Sequence, residues 1–198
     1  MTRSLARVLF FAVVTLSPGT VFAAPLVIDD FDDVSDWSGL TAESGLHMQG
    51  SGAGRWADTV AQTSIRRSFA SPLDLSGGDH IGFWLYSTVA NDARLQLVFD
   101  SENAASSGSD YYSRELVLDW QGWRYLWLAK AELAPSRSPL GWDQIRAISL
   151  NASGWGHTPA ADTHLVLDQM LSATALLVKV EQRQAWSGPD FVYTFTLE

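Results

Sequence analysis

Residues 81–87 read IGFWLYS, and residues 94–100 read RLQLVFD. In both segments an apolar side chain occupies every second position, which is the period of a β-strand with one buried face. A Ser-Gly-Gly-Asp turn at residues 76–79 leads into the first segment. The two segments therefore predict two strands whose inward residues form a core: Ile81, Phe83, Leu85, Leu95, Leu97 and Phe99.

Similar short segments recur along the chain, separated by Gly, Ser, Asp and Asn. The predicted strands are residues 26–31, 81–87, 94–100, 114–119, 123–128, 145–151 and 164–170, with weaker candidates at 45–49 and 64–70. None alternates with a helical segment of useful length. Short strands in this arrangement are typical of an all-β protein, an antiparallel β-sandwich or jelly roll.

The N-terminus has the pattern of an export signal. Arg3 and Arg7 precede the apolar residues 8–16 (VLFFAVVTL), and small residues at Val21 and Ala23 suit a cleavage site. The apolar stretch is much shorter than the roughly 20 residues that span a bilayer. We expect residues 1–23 to be a signal peptide, cleaved near Ala23, and the protein to be secreted or periplasmic.

The remaining chain divides into two parts. Residues 24–171 contain the strand pattern and are predicted to form the β-sandwich domain. Residues 172–198 form a C-terminal extension with two strand-like segments, 175–180 and 191–197, flanking a turn at 186–189. This extension is predicted either to be a β-hairpin on the same sandwich or to begin a longer structure, and the sequence favours neither.

Charge and cysteine content limit the partners. The formal net charge is −9, and removing the two arginines of the signal makes it −11. Nucleic acid and anionic membranes require basic surfaces, so neither is an expected partner. The chain has no cysteine, so its core and not disulfides must stabilise it.

The outward positions of the strands are the candidate ligand sites. Trp84 and Tyr86 share the face opposite Ile81, and aromatic rings can stack on the apolar face of a sugar. Hydrogen bonds to sugar hydroxyls, or to a uronate, are assigned to Arg94, Gln96 and Arg114. A glycine-flanked loop adds Trp155 and His157. The alternative is that a loop or the terminal hairpin buries Trp84 and Tyr86.

The remaining tryptophans and the polar residues give little support for a further binding site or for a catalytic site. Trp123 and Trp142 lie beside turns and are expected to hold them. GxSxG, HExxH and Gly-rich phosphate-loop motifs are absent from the sequence. Tyr112 and Arg114 could serve an eliminase, but two residues in a strand are weak support. No catalytic residue is assigned, and the chain is interpreted as a non-enzyme with that question left open.

The segments IDDFDD, DLSGGDHIGFWLYS, GWRYLWL, GWDQIRAISL and THLVLDQM together resemble the galactose-binding-like β-sandwich. Over residues 26–171 the chain is most similar to the carbohydrate-binding-type domain at the N-terminus of chondroitinase-like polysaccharide lyases. The resemblance implies first and last strands lying side by side and sharing a structural calcium ion. Its implied ligands are Asp30 or Asp32, together with Asp168; Gln169 stands where relatives often have a second Asp.

The sequence therefore predicts an exported, non-catalytic module that binds a polysaccharide or oligosaccharide. Two alternatives stay open. One is a truncated or degenerate N-terminal domain of a polysaccharide lyase. The other is a structural sandwich that uses its exposed aromatics to contact another protein.

Overall fold

The computed structural model describes residues 24–174 in full, together with the backbone of three short strands outside that range. These are β1 (Val14–Thr15), β14 (Val178–Glu181) and β15 (Thr194–Leu197). They form a sheet of their own, in which β15 runs antiparallel to β14 and parallel to β1. The predicted cleavage site and the greater part of the predicted signal peptide and C-terminal extension lie outside the described residues.

Twelve strands build the sandwich. They are β2 (Leu26–Asp29), β3 (Trp37–Ser38), β4 (Thr41–Glu43), β5 (Ala53–Trp56), β6 (Ser64–Leu73), β7 (His80–Ser87), β8 (Arg94–Asp100), β9 (Tyr111–Val117), β10 (Gly122–Ala129), β11 (Ala134–Ser136), β12 (Ile145–Asn151) and β13 (Leu165–Ala173). A single 3₁₀ turn, Lys130–Glu132, separates β10 from β11. None of the described residues forms a helix with the length and apolarity that a membrane crossing needs.

The strands form two six-stranded antiparallel sheets. The first sheet has the order β10-β7-β13-β5-β4, with β2 also paired to β13. The second has the order β11-β9-β8-β12-β6-β3. The first and last strands of the sandwich thus lie side by side, and the predicted all-β antiparallel sandwich is confirmed.

Two strand predictions need correction. Residues 45–49 are turns and bends, and the strand predicted there is wrong. The strand β5 follows instead at AGRW, where a glycine interrupts the apolar alternation. Gly54 faces the core, and a Cβ added there would lie 2.7 Å from Leu40 Cδ1 and 3.0 Å from Phe31 Cδ1. A glycine is therefore required at position 54 by close packing and not by strand propensity. In addition, β9 begins at Tyr111, three residues before the predicted start.

The core lies between the two sheets. The predicted inward residues of β7 and β8 are at most 1% exposed, and burial of each such side chain contributes about 2 kcal/mol. Trp37, Trp56 and Trp120 are also buried. Trp142 stacks on Tyr112 with ring centroids 4.5 Å apart, which agrees with its predicted packing role. Four of the eight tryptophans in residues 24–174 therefore serve the core.

A buried carboxylate ties the first strand to the second sheet. Asp29 accepts hydrogen bonds from the Phe31 backbone N–H and from Trp37 Nε1, each 2.7 Å long, and forms an ion pair with Arg67 of β6. These contacts hold Phe31 in a left-handed conformation, with φ of +62°. The first aspartate of the IDDFDD segment is thus structural.

Replacing Asp29 with Asn should lower the free energy of unfolding by about 3–5 kcal/mol, because Arg67 would lose its buried partner. Urea unfolding measures the change. Asp36→Asn is the matched control: Asp36 pairs with the same Arg67 at 3.2 Å but is exposed, so its loss should cost less than about 1 kcal/mol. Equal costs for the two variants would contradict the structural role of Asp29.

A buried lysine closes one end of the sandwich. Lys130 Nζ donates to the backbone oxygens of Leu75 and Gly78 and, over 2.9 Å, to Ser172 Oγ. Burial lowers the pKa of Lys130 to about 8. Since the folded pKa lies below the unfolded value of about 10.5, the unfolded chain binds more protons between pH 8 and pH 10.5.

The Lys130 contribution to stability should therefore rise with pH across this window, by at most about 1.4 kcal/mol per pH unit, and be constant below it. The measurement is urea unfolding of the native protein and of Lys130→Met at pH 7, 8, 9 and 10. The difference in unfolding free energy between them should grow with pH above 8. A difference that stays constant would contradict the lowered pKa.

Candidate functional site

The predicted ligand residues lie on two opposite outer faces of the sandwich. Trp84 and Tyr86 point outward from β7 in the first sheet, since their neighbours Phe83 and Leu85 are in the core. Arg94 and Gln96 point outward from β8 in the second sheet. The sequence grouped them as one site, and the structure separates them into two surfaces.

The polar face is the outer face of the second sheet. Strand register places these outward side chains together: Arg66, Arg94, Gln96, Val98, Asp100, Tyr111, Ser113, Glu115, Ala147, Ser149 and Asn151. Its middle is recessed, because Val98 and Ser149 are only 3% and 5% exposed although they point away from the core. The larger polar side chains therefore stand around a low floor.

The charges of the polar face are paired on the face itself. Arg66 Nη2 lies 2.6 Å from Asp100 Oδ2, and Arg94 Nη1 lies 2.7 Å from Glu115 Oε1. His157 Nε2 lies 2.9 Å from the other oxygen of Glu115. The hydrogen bond from Arg94 is the main cause of a lowered pKa at Glu115. The face thus offers charged hydrogen-bonding groups without a large net charge.

The loop after β12 brings an indole to this face. Gly154, Trp155 and Gly156 all have positive φ values, of 86°, 51° and 84°, which explains the flanking glycines. Trp155 is 48% exposed, and its Nε1 donates to the Tyr111 hydroxyl over 3.2 Å. The two rings are nearly perpendicular. An exposed apolar surface therefore stands beside the polar groups, as predicted for this loop.

Two groups on or beside the polar face have spare hydrogen-bonding capacity. Within residues 24–174 the Gln96 side-chain amide has no hydrogen-bond partner, and His157 Nδ1 is buried without one. The Gln96 amide can be satisfied by a ligand rich in hydroxyl groups, whereas the buried His157 Nδ1 is out of a ligand's reach.

Arg114 does not lie on this face with Arg94 and Gln96, and its assignment as a ligand-binding residue stays a prediction. Arg114 pairs in register with the core residue Leu97 and shares the side of Leu116. It forms an ion pair with Glu132 of the 3₁₀ turn. Because strand alternation has a period of two, residues 114 and 116 must point the same way.

The aromatic face is the outer face of β7 and β10 in the first sheet. It contains Trp84, Tyr86 and His80 from β7 and Trp123, Tyr125 and Trp127 from β10. Trp84 lies 4.9 Å from Tyr125, and Tyr86 lies 5.4 Å from Trp123, measured between ring centroids. Trp123, predicted to hold a turn, points outward here. The sequence missed the cluster because only the β7–β10 register shows that these residues meet.

The three predicted metal ligands have different surroundings. Asp168 is fully buried, and its Oδ2 accepts hydrogen bonds from the backbone N–H groups of Met48 and Gln49. Its Oδ1 has no hydrogen-bond partner in the described part of the chain. Asp32 Oδ1 accepts from Ser51 and Gly52 of the same loop, and the Ser51 bond is the main cause of its lowered pKa.

The third, Asp30, is exposed and accepts only the backbone N–H of Asp32, over 3.2 Å. No group of three or more His, Asp or Glu side chains within residues 24–174 is placed to hold a metal ion. Any calcium site here would need backbone carbonyl oxygens as well as carboxylates.

Comparison with known proteins gives relatives by structure alone. No protein-family model matches the chain, and no curated protein matches it. A family 11 carbohydrate-binding module from Clostridium thermocellum, solved with a β-1,3-1,4-mixed-linked tetrasaccharide, is similar with a TM-score of 0.55 and 14% identity. The match covers 76% of this chain and 96% of the module.

Two further solved structures are similar. The family 30 carbohydrate-binding module of a cellulosomal cellulase from Clostridium thermocellum has a TM-score of 0.50 and 10% identity, over 77% of this chain and 95% of that one. An agarase has a TM-score of 0.50 and 12% identity, over 81% of this chain but only 26% of the agarase. The chain therefore has the β-sandwich fold of carbohydrate-binding modules.

Proposed function

We propose that this protein is an exported, non-catalytic module that binds neutral glycan chains on its polar face. The observation that carries the proposal is the exposed Trp155 indole, which is hydrogen-bonded to Tyr111 of the same face that carries the Arg66–Asp100 pair and the free Gln96 amide. The fold shared with a module solved in complex with a tetrasaccharide supports the same ligand class.

The chemistry of a sugar favours the polar face over the aromatic face. A pyranose ring has an apolar face, which an indole can cover, and a rim of hydroxyls that need directional partners. The polar face supplies both, because Trp155 stands near carboxylate, guanidinium and amide groups. The aromatic face has rings but no amide or carboxylate directed at a ligand among the outward residues of β7 and β10.

Charge pairing favours a neutral glycan over a uronate. Arg66 and Arg94 each have a carboxylate partner within 2.7 Å, so neither is a free cation for a sugar acid. A ligand carboxylate would have to compete with Asp100 or Glu115 and would approach a chain with net charge −9. Ion-paired side chains can still donate to and accept from hydroxyls.

A second candidate function follows from the agarase. The fold matches about a quarter of that enzyme, so the sandwich is also suited to being the binding domain of a polysaccharide-degrading enzyme. The similarity to chondroitinase-like lyases stays a prediction of the same kind. Both candidates assign carbohydrate binding to the sandwich. They differ in whether the sandwich acts as a module without catalysis or as the binding domain of a polysaccharide-degrading enzyme.

Replacing Trp155 with Ala should weaken binding of a mixed-linked β-1,3-1,4-glucan tetrasaccharide about tenfold or more, through loss of the stacking surface. Gln96→Ala should weaken it less. Isothermal titration calorimetry measures both affinities, and affinity gel electrophoresis against a panel of neutral and acidic polysaccharides tests the ligand class.

Trp127→Ala is the matched control, since it removes an indole of similar exposure from the opposite face and should leave the oligosaccharide affinity unchanged. Three results would each contradict the proposal. They are retardation by no glycan, retardation by uronate polymers alone, or equal losses in Trp155→Ala and Trp127→Ala.

We also propose that a structural calcium ion binds beside Asp168. Its buried Oδ1 is an uncompensated oxygen, which a cation would satisfy. Asp168 and Asp32 both hold the loop at Met48–Gly52, whose carbonyl oxygens are ligands of the type that calcium accepts. The ion would fix this loop against β13 and has no role in recognising sugar.

Calcium should raise the melting temperature by several degrees at 100 times its Kd, because binding then adds about 2.7 kcal/mol to stability. Thermal unfolding with excess Ca²⁺ and with EDTA measures the shift. Asp168→Asn keeps one acceptor for the Met48 N–H but loses the charge, and should lose the shift. Identical melting curves with Ca²⁺ and EDTA in the native protein would contradict the proposal.

A further inference from the structure

Three rings of the aromatic face, those of His80, Tyr125 and Trp127, are nearly parallel, whereas Trp84 is inclined to Tyr125 by 56° and Tyr86 to Trp123 by 67°. Tyr125 and Trp127 are inclined by 23° with centroids 6.0 Å apart, and His80 is inclined to Trp127 by 9° at 5.0 Å. Both β10 rings extend over Gly82: a Cβ added there would meet the Tyr125 hydroxyl at 2.2 Å and the Trp127 ring at 2.7 Å. The missing side chain of Gly82 therefore lets these rings lie down on the sheet.

Strand register extends the aromatic face across the first sheet into a wider surface, formed by the outward residues of β10, β7, β13 and β2, which we call the platform. Trp127, Gly82, Leu171 and Val27 are consecutive partners on β10, β7, β13 and β2. Four strands at about 4.8 Å spacing give a row about 14 Å wide. Trp127 and Val27 at its two ends are 41% and 53% exposed. From His80 to Tyr86 the platform is about 20 Å long.

The side chains of the platform are mostly apolar and uncharged, and several of its indole N–H groups have no acceptor within residues 24–174. Apart from His80, which pairs with Asp79, the outward side chains of β7 and β10 carry no charge. The indole N–H groups of Trp84, Trp123 and Trp127 donate to no acceptor in residues 24–174, unlike those of Trp37, Trp56 and Trp155. A ligand for this surface should therefore be flat, uncharged and rich in hydrogen-bond acceptors.

We propose that the aromatic face is a second binding surface, which adsorbs to the surface of an insoluble neutral polysaccharide. Packed chains present flat arrays of sugar C–H groups bordered by hydroxyl oxygens, which match the near-parallel rings of Tyr125 and Trp127 and the free indole N–H groups. The outward residues of β7 and β10 include no carboxylate or amide, so this part of the platform recognises no particular orientation of a single soluble chain. The proposal extends the proposed carbohydrate-binding function to a second face.

The size of the platform distinguishes this occupant from a second copy of the chain. Its approximate extent, 14 Å by 20 Å, is about 280 Å². A stable protein–protein interface buries about 800 Å² on each partner. A repeating solid surface does not face this limit, because it presents many equivalent sites at high density, so that a weak contact by each molecule still gives measurable adsorption.

Adsorption to microcrystalline cellulose, measured by depletion of the full chain from solution, tests the proposal. Trp127→Ala should lower the partition coefficient about tenfold, and Gly82→Ala should lower it by displacing the Tyr125 and Trp127 rings while keeping every ring present. Calorimetric affinity for the mixed-linked tetrasaccharide should remain unchanged in both variants. Trp155→Ala should do the reverse, losing tetrasaccharide affinity and keeping most of its adsorption.

The outcomes separate the two binding surfaces. No adsorption by the native protein, or equal adsorption by Trp127→Ala, would overturn the aromatic face as a carbohydrate surface and leave the polar face standing. Adsorption by the native protein with no measurable tetrasaccharide affinity would refute the polar face alone. Sedimentation equilibrium adds one more test: a dimer that Trp127→Ala dissociates would assign the face to a second copy and overturn the proposal.

Discussion

The packing of β7 against β8 is the constraint on which the arrangement of surface groups depends. Ile81, Phe83 and Leu85 from one sheet and Leu95, Leu97 and Phe99 from the other are all at most 1% exposed. Because strand side chains alternate, burying these residues fixes the direction of every neighbour on the same strands. A slip of one residue in β8 would bury Arg94, Gln96 and Asp100 and expose the core.

This constraint produces two surfaces with different chemistry. On β8 the outward side chains are Arg94, Gln96 and Asp100 with Val98 among them, and the loop carrying Trp155 adds an indole at the rim. On β7 the corresponding positions are aromatic or glycine, and β10 adds three more rings. One sandwich thus carries a face suited to reading hydroxyls and a face suited to flat apolar contact. The two should act independently, because the core separates them.

The sequence predicted the strands that follow a simple alternation. β8 and β12 have the predicted bounds, and the division of β7 into core and outward residues is correct. Local sequence could not predict β5, because its glycine is required by contacts with Leu40 and Phe31, which lie in connecting segments earlier in the chain. The structural role of Asp29 was also missed, since its partner Arg67 lies 38 residues away.

The candidate sites depended even more on long-range pairing. Alternation shows which residues of one strand share a face, but not which strands are neighbours. Trp84 and Gln96 were therefore grouped although opposite sheets carry them, and Trp123 and Trp127 were left out although they adjoin Tyr86 and Gly82. The direction of Arg114, in contrast, could have been predicted from the sequence. Arg114 lies two positions before the core residue Leu116 on the same strand and must therefore point to the same side.

The most direct test of the central claim is a map of backbone amide chemical shifts during titration with the mixed-linked tetrasaccharide. Binding to the polar face predicts perturbations on β6, β8, β9 and β12 and in the loop around Trp155, with β7 and β10 unchanged. Perturbations confined to β7 and β10 would contradict the account, since the oligosaccharide would then bind on the opposite side of the core.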